Sequence, residues 1–374
     1  MQPEGRARMV ARSYLYVPGD RREKLARARE RGADGLVLDL EDAVAPPAKD
    51  SAREVVAAFL TGLTDEGAAA APPDASAPDG PAPGAPPPAA PHEFGPSGST
   101  RSGSTPHGSA LGTSPSATSN GPTPAGPTPN GAATTVSTAS APNGTIFGGP
   151  ELWVRVNADR LDEDVPAVTL PSCAGVWVPK ADPESLARVD ALLTAAERAA
   201  GLPAGVMRVV PVIETARGLL AVAEIARAPR VLRLGIGEAD LAAELGIRPG
   251  RDRAELAPHR AALVVASAAA GLAAPIAPVE TDLSATGADL AATTRALLCE
   301  GFRARTAIHP RQVPVINEVF TPSPAEIAAA RDVVTRLGAA NQSGTGVAVD
   351  ARGRMIDEAV ARSAREVLGR APAS

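Results

Sequence analysis

The sequence predicts an α/β chain closed into a (β/α)8 TIM barrel, and three observations carry that expectation. Eight short β-rich runs alternate with Ala-rich stretches of helix length, the rhythm of parallel strands joined by crossover helices. The run from Leu36 to Leu40 is apolar enough to be buried on both faces, as a strand of a covered parallel sheet is. The turn after the first run, YVPGDRREK, is not the GxGxxG turn that an open doubly wound sheet would favour.

Taken in order, the first strand is SYLYVP (13–18), and REKLARARERG follows it with the length of a helix. The second is DGLVLDLE (34–41). From 64 to 148 the chain is Pro, Ala, Gly, Ser and Thr almost without interruption, as in APDGPAPGAPPPAAP. That composition buries too little apolar surface to offset its ordering entropy, so a disordered insertion is expected there. In a barrel it falls between the second helix and the third strand, on the face away from the catalytic loops, where a long excursion costs little. The third and fourth strands are ELWVRVN (151–157) and GVWVPK (175–180), the latter leading into a helix opened by Pro183. RVVPVIE (208–214) is the fifth, before the helical stretch RGLLAVAEIARAP; VLRLGIG (231–237), APIAPV (274–279) and RARTAIH (303–309) complete the set. The expected organisation is one interrupted barrel domain, 10–63 with 149–320, and a C-terminal helical segment, 321–374.

The net charge of −5 supplies no basic surface for nucleic acid. No apolar stretch has the length of a signal peptide or a membrane span, which points to the cytoplasm. The two cysteines, Cys173 and Cys299, have no metal-binding spacing and are expected to be inert core thiols.

In a barrel, residues at the C-terminal ends of the strands converge on one mouth. Here those ends carry Asp39, Glu41 and Asp42 (strand two), Arg155 and Asn157 (three), Lys180 (four), Glu214 (five), Glu238 and Asp240 (the turn after six) and His309 (eight). Several carboxylates, no cysteine and few histidines describe a site for a hard cation such as Mg2+, which prefers oxygen ligands. Glu214 and Asp240, each ending a strand singly, are the expected metal ligands, with Asp39, Glu41 and Asp42 holding the metal's waters. Arg155 beside a metal suits a clamp for a substrate carboxylate or oxyanion. Lys180 is either a surface lysine or a substrate contact, and His309 is expected to be a core histidine that orients loops.

At these residues the sequence resembles the citrate-lyase-β-subunit-like family of CoA-ester lyases, within the HpcH/HpaI aldolase superfamily. The resemblance runs in order through RSYLYVPGDRREK, GADGLVLDLEDAVAPPAK, VRVN, VPKAD, VIETARG, GIGEADL, AIHPRQVPVINEVF and GRMID. It implies a Mg2+-dependent barrel that cleaves or forms a carbon–carbon bond in 3-hydroxyacyl-CoA thioesters such as malyl-CoA, citramalyl-CoA or citryl-CoA, with a 2-oxo acid as the other product. It assigns the metal to Glu214 and Asp240 and substrate oxygens to Arg155. It gives Asp357, of the MID motif, the role of general acid/base delivered from a neighbouring subunit of a trimer or hexamer. The chain departs from the resemblance in having GEADL where GAEDL is common, so that Ala239 replaces a glutamate and Glu238 stands one position earlier. The alternatives are a metal aldolase of free 2-oxo acids and a carrier-dependent citrate lyase β subunit working in a complex.

Overall fold

The computed structural model describes residues 11–70 and 149–372. Its elements run β1 (Ser13–Pro18), α1 (Arg22–Ala28), β2 (Gly35–Asp39), α2 (Lys49–Ala70), β3 (Glu151–Arg155), α3 (Leu161–Val168), β4 (Gly175–Val178) and α4 (Pro183–Ala199). Next come β5 (Arg208–Ile213), the short α5 (Ala216–Leu220) and α6 (Val222–Ile225), β6 (Gly235–Ile236), α7 (Glu238–Leu245) and α8 (Ala257–Ala269). The barrel closes with β7 (Ile276–Ala277), α9 (Gly287–Glu300), β8 (Ala304–Ala307) and α10 (Gln312–Phe320). Beyond it lie α11 (Pro324–Gln342), the hairpin strands β9 (Ala348–Val349) and β10 (Met355–Ile356), and α12 (Glu358–Gly369).

Strands β1 to β8 pair in chain order, all parallel, and β8 returns to β1 through Ser13 opposite Arg305. All eight expected strands are present within their sequence bounds, although β6 and β7 are reduced to two residues each. The expected insertion begins later than its composition suggested, because α2 continues through 64–70. The remainder of it, 71–148, lies outside the described residues.

Period-two alternation sorts the strand residues into two cores. Leu15, Val17, Leu36, Leu38, Val154, Val176, Val178, Val209 and Ile213 face outward and cluster with the helix residues Leu25, Val56, Leu60, Val165 and Leu193. Each such side chain, fully buried, contributes about 1.5–3 kcal/mol. The opposite phase, Tyr14, Val37, Trp153, Trp177, Val210, Val212, Ile276 and Ala304, fills the barrel interior, with Tyr16 packed against it. The same inward phase carries on to Asp39, Arg155 and Glu214 at the upper ends of β2, β3 and β5, which is why these polar residues meet.

The C-terminal helices form a small cluster of their own around Leu337, Ile356 and Ala361. Arg303, just before β8, pairs with Glu366 of α12 at 2.7 Å, and Arg370 donates to the Phe320 carbonyl at 3.0 Å. These contacts fasten the far end of α12 near the lower rim of the barrel, away from the mouth. Among the described residues no helix is long and apolar enough to cross a membrane. Cys173 is buried as expected, and burial pushes its thiol up to about 12; Cys299 is exposed on α9, not a core thiol.

Candidate active site

Of the residues singled out from the sequence, Asp39, Asp42, Arg155, Glu214, Glu238 and Asp240 line one cavity of about 380 Å3 at the mouth, together with Tyr16, Trp177, Val212, Ile276 and Thr306. Arg155 is its best-held member. Nε and Nη2 donate to the two oxygens of buried Asp39 at 2.7 and 2.6 Å, and Nη1 donates to Asp42 at 3.0 Å. Its guanidinium also lies 4.8 Å from the Tyr16 ring centroid. Burial works against the charge on Arg155, but the Asp39 hydrogen bonds and the surrounding anions outweigh it and hold its pKa above the ordinary value.

Asp39 also accepts the backbone N–H of Glu41 and of Ala43, at 3.0 and 3.1 Å. It therefore ties Arg155 to the loop after β2. Glu41 turns to Lys180, whose Nζ donates to it at 2.8 Å; its other oxygen lies 3.0 Å from Arg155 Nη1 without hydrogen-bond alignment. Burial, resisted by Arg155 and Lys180, raises the Glu41 pKa. Lys180 breaks the strand alternation with a left-handed backbone, φ 48°, which carries its ammonium to within 3.7 Å of Asp240 while its backbone N–H donates to Glu214 at 2.8 Å.

Glu214 is 5% exposed, and among the described residues no cationic side chain forms a hydrogen bond or ion pair with it. Burial pushes its carboxyl up to about 7; the Lys180 N–H and the charge of the Lys180 ammonium oppose this, while Glu41 and Asp240 add to it. A Cβ at Gly237 would stand 2.2 Å from Glu214 Oε2, so the carboxylate rests in a notch that only glycine leaves open. Asp240 is not at a strand end. It lies in the first turn of α7, half-exposed toward the mouth, where the helix N-terminus favours an anion. Glu238 is buried and already paired, its carboxylate accepting from Arg260 at 2.8 Å and Arg253 at 3.3 Å.

These residues fit a hard dication. Glu214 is a buried anion in want of a counter-charge, in a notch clear of side chain, with Asp240 as its neighbour. Among the described residues no group of three or more His, Cys, Asp or Glu side chains is arranged to hold a metal. That does not match a closed zinc site; it matches a cation that takes one or two carboxylates and completes its shell with water and substrate oxygens.

One expectation meets a different arrangement: His309 is exposed, its Nδ1 accepting the Arg311 N–H at 3.2 Å, so it shapes a local turn and is not a core residue. Asp357 does not line the cavity of its own chain: it is the N-cap of α12 and accepts the Val360 N–H at 3.0 Å. Tyr16 and Trp177 line the site without having been singled out. Their signal was the inward phase of SYLYVP and GVWV.

A family model described as HpcH/HpaI aldolase/citrate lyase matches residues 12–72 and 130–310. A (3S)-malyl-CoA thioesterase from a strain of Cereibacter sphaeroides is 35% identical over 365 residues, covering 97% of this chain and 95% of the relative. The citrate lyase subunit beta of Leuconostoc mesenteroides subsp. cremoris is 29% identical over 229 residues, 59% of this chain and 74% of the relative. An L-malyl-CoA/beta-methylmalyl-CoA lyase of Rhodobacter capsulatus is 34% identical over 203 residues, 49% and 62%. Among solved structures, CitE from Mycobacterium tuberculosis in complex with magnesium, acetoacetate and coenzyme A is similar in fold, with a TM-score of 0.59, 24% identity and coverage of 96% of this chain and 97% of that one.

Proposed function

This chain belongs to the HpcH/HpaI aldolase/citrate lyase family, and from that premise we propose that it is a Mg2+-dependent carbon–carbon lyase of 3-hydroxyacyl-CoA thioesters of the malyl-CoA type. The observation that carries the reading is the buried Glu214 carboxyl, without an ion-pair partner among the described residues and seated against Gly237 beside Asp240. Glu214 and Asp240 would hold the cation, which when bound supplies a Lewis acid for the substrate's carboxylate and neighbouring oxygen.

Arg155, held by Asp39, stabilises negative charge on the substrate oxygen as the hydroxyl of the thioester gives its proton to solvent and becomes the carbonyl of the 2-oxo acid. Its Nη1 can exchange the largely exposed Asp42 for substrate while Nε and Nη2 keep their grip on Asp39. The bond between the acyl α-carbon and the carbinol carbon breaks, and its electron pair passes to the thioester as an enolate. Asp357 protonates that enolate, giving acetyl-CoA or a homologue; in the reverse direction it removes the same proton. In this reading Asp357, which does not line the cavity of its own chain, serves the mouth of a neighbouring copy in a homotrimer or hexamer.

Similarity along nearly the full length of a malyl-CoA thioesterase, the C-terminal segment included, supports the CoA-ester reading over a free 2-oxo acid aldolase. It also makes hydrolysis of the thioester a reaction to assay beside cleavage. The test is a panel of 3-hydroxyacyl-CoA thioesters incubated with the purified chain and Mg2+, with products identified by mass. Cleavage to an acyl-CoA and a 2-oxo acid is expected. Turnover of free 2-oxo acids alone, or activity only after a carrier subunit is added, would replace this reading.

A further inference from the structure

Asp240 has little of its own to hold it. Among the described residues no hydrogen bond reaches its carboxylate, and the Lys180 ammonium stands 3.7 Å away. The direction of that carboxylate is therefore set by the backbone of the α7 first turn. No side chain caps this turn, because its N-cap is Gly237. What fixes it is Glu238, which stands between Gly237, the seat of Glu214, and Asp240. Buried Glu238 accepts from two guanidiniums, Oε1 from Arg260 at 2.8 Å and Oε2 from Arg253 at 3.3 Å. Neither arginine is free to follow the helix. Arg260 also donates to both oxygens of Glu300, at 2.5 and 3.1 Å. Arg253 also donates to the Val279 carbonyl and to Glu280, both at 3.1 Å, from a left-handed backbone, φ 53°. A non-glycine residue is held there only when its surroundings over-determine it.

The lattice runs on. Glu280 meets Arg305 of β8 at 3.4 Å, and its carbonyl accepts from Gln312, whose Oε1 accepts the N–H groups of Ile308 and His309. The loops after β6, β7 and β8 are thus tied to the N-terminus of α7 by one connected set of polar contacts. Residue order decides which side chain takes part. Successive helix residues turn by about 100°, so position 238 sends its carboxylate to the arginines while Ala239, exposed, opens onto the mouth. The order GEADL therefore anchors the helix and leaves the position beside Asp240 uncharged. We propose that Glu238, gripped by Arg260 and Arg253, is a positioning residue for the metal, holding the α7 first turn so that Asp240 stays beside Glu214. The inference rests on the lyase reading and deepens its metal site. A residue that orients a ligand in this way alters metal affinity by roughly 10–100-fold when it is changed.

Three measurements on the full chain test it together: calorimetry of Mg2+ binding, urea unfolding in chelator, and kcat for malyl-CoA over rising Mg2+. Glu238→Gln keeps the shape of the side chain but removes the anion shared by two guanidiniums, and should weaken Mg2+ binding roughly tenfold. Because a loosened turn lowers only the fraction of molecules ready for the metal, saturating Mg2+ should bring kcat back to within about twofold of the wild type. Glu300→Gln is the control. It breaks the same lattice on the far side of Arg260, and should lower the urea midpoint while leaving Mg2+ affinity within about twofold. Arg253→Gly suits the left-handed backbone, so it keeps the fold, and should weaken Mg2+ by a smaller factor than Glu238→Gln. It stands in for the glutamine variant if that one does not fold. Wild-type Mg2+ affinity in folded Glu238→Gln, or in Arg253→Gly standing in for it, overturns the positioning role. So does an equal loss in Glu300→Gln, or a kcat that saturating Mg2+ does not restore. In each case Mg2+ binding by the wild type still upholds the metal site. No Mg2+ binding by the wild type overturns both.

Discussion

Replacing Glu214 by glutamine should stabilise the metal-free protein at alkaline pH, an unusual outcome for a substitution at a reacting centre. Burial lifts the folded-state pKa of Glu214 from its ordinary value of 4.5 to about 7. A carboxyl whose pKa rises on folding binds its proton more tightly in the native state. Stability is therefore highest below the unfolded pKa, falls between about pH 4.5 and 7, and stays low above that. At about 1.4 kcal/mol per pH unit the penalty on the metal-free wild type approaches about 3 kcal/mol. Glutamine carries no charge and still offers an oxygen to the Lys180 N–H, so Glu214→Gln should recover about 1–3 kcal/mol of this at pH 8 and nothing at pH 4.5. Urea unfolding of both proteins in a chelator, at several pH values, measures it. Magnesium should cancel or reverse the difference: at a hundred times its dissociation constant it adds about 2.7 kcal/mol to the wild type and little to the variant. A wild type as stable as Glu214→Gln at pH 8 in chelator would refute the claim that Glu214 is a buried anion awaiting a cation.

Other outcomes follow from the same geometry. Asp39→Asn leaves the Arg155 guanidinium short of its main anion and should cost about 3 kcal/mol in urea unfolding, with a rise in KM for the thioester. Unchanged stability would mean that Asp42 and Glu41 hold Arg155 unaided. Arg155→Lys keeps the charge but loses the fork onto Asp39, so kcat/KM should fall at least tenfold although the fold persists by circular dichroism. Asp357→Asn should lower kcat by roughly 10²–10⁴ with little change in KM. Mixing it with Glu214→Gln under subunit exchange should restore part of the activity, because some mixed sites then combine an intact metal centre with an intact acid. Absence of rescue despite exchange would place the acid within its own chain.

The barrel was legible because the alternation of strand and helix is a local property of the chain, and even the polar strand ends could be read as a mouth. What composition could not give was where a helix stops: α2 runs on to Ala70 through residues that look like the start of the Pro/Ala/Gly/Ser stretch. Among the site residues, Arg155 and Glu214 follow from the inward phase of β3 and β5. Asp240 was reached as a strand end, yet it stands in a helix first turn, since β6 stops at Ile236. Lys180 escaped the phase because its left-handed backbone, invisible in sequence, redirects it. Tyr16 and Trp177 were passed over because aromatic residues on a strand read as core, and they are core; only the closed barrel reveals that the core ends at the cavity. Asp357 carries no local signal at all and entered through resemblance alone, and it does not line the cavity of its own chain.

The most direct test of the account is mass-detected turnover of malyl-CoA by the purified chain as magnesium is withdrawn and restored. Acetyl-CoA and glyoxylate should form with Mg2+, cease in chelator and resume on adding Mg2+ back, with Glu214→Gln inert throughout. Cleavage that continues undiminished in chelator, or in the Glu214→Gln protein, would contradict it.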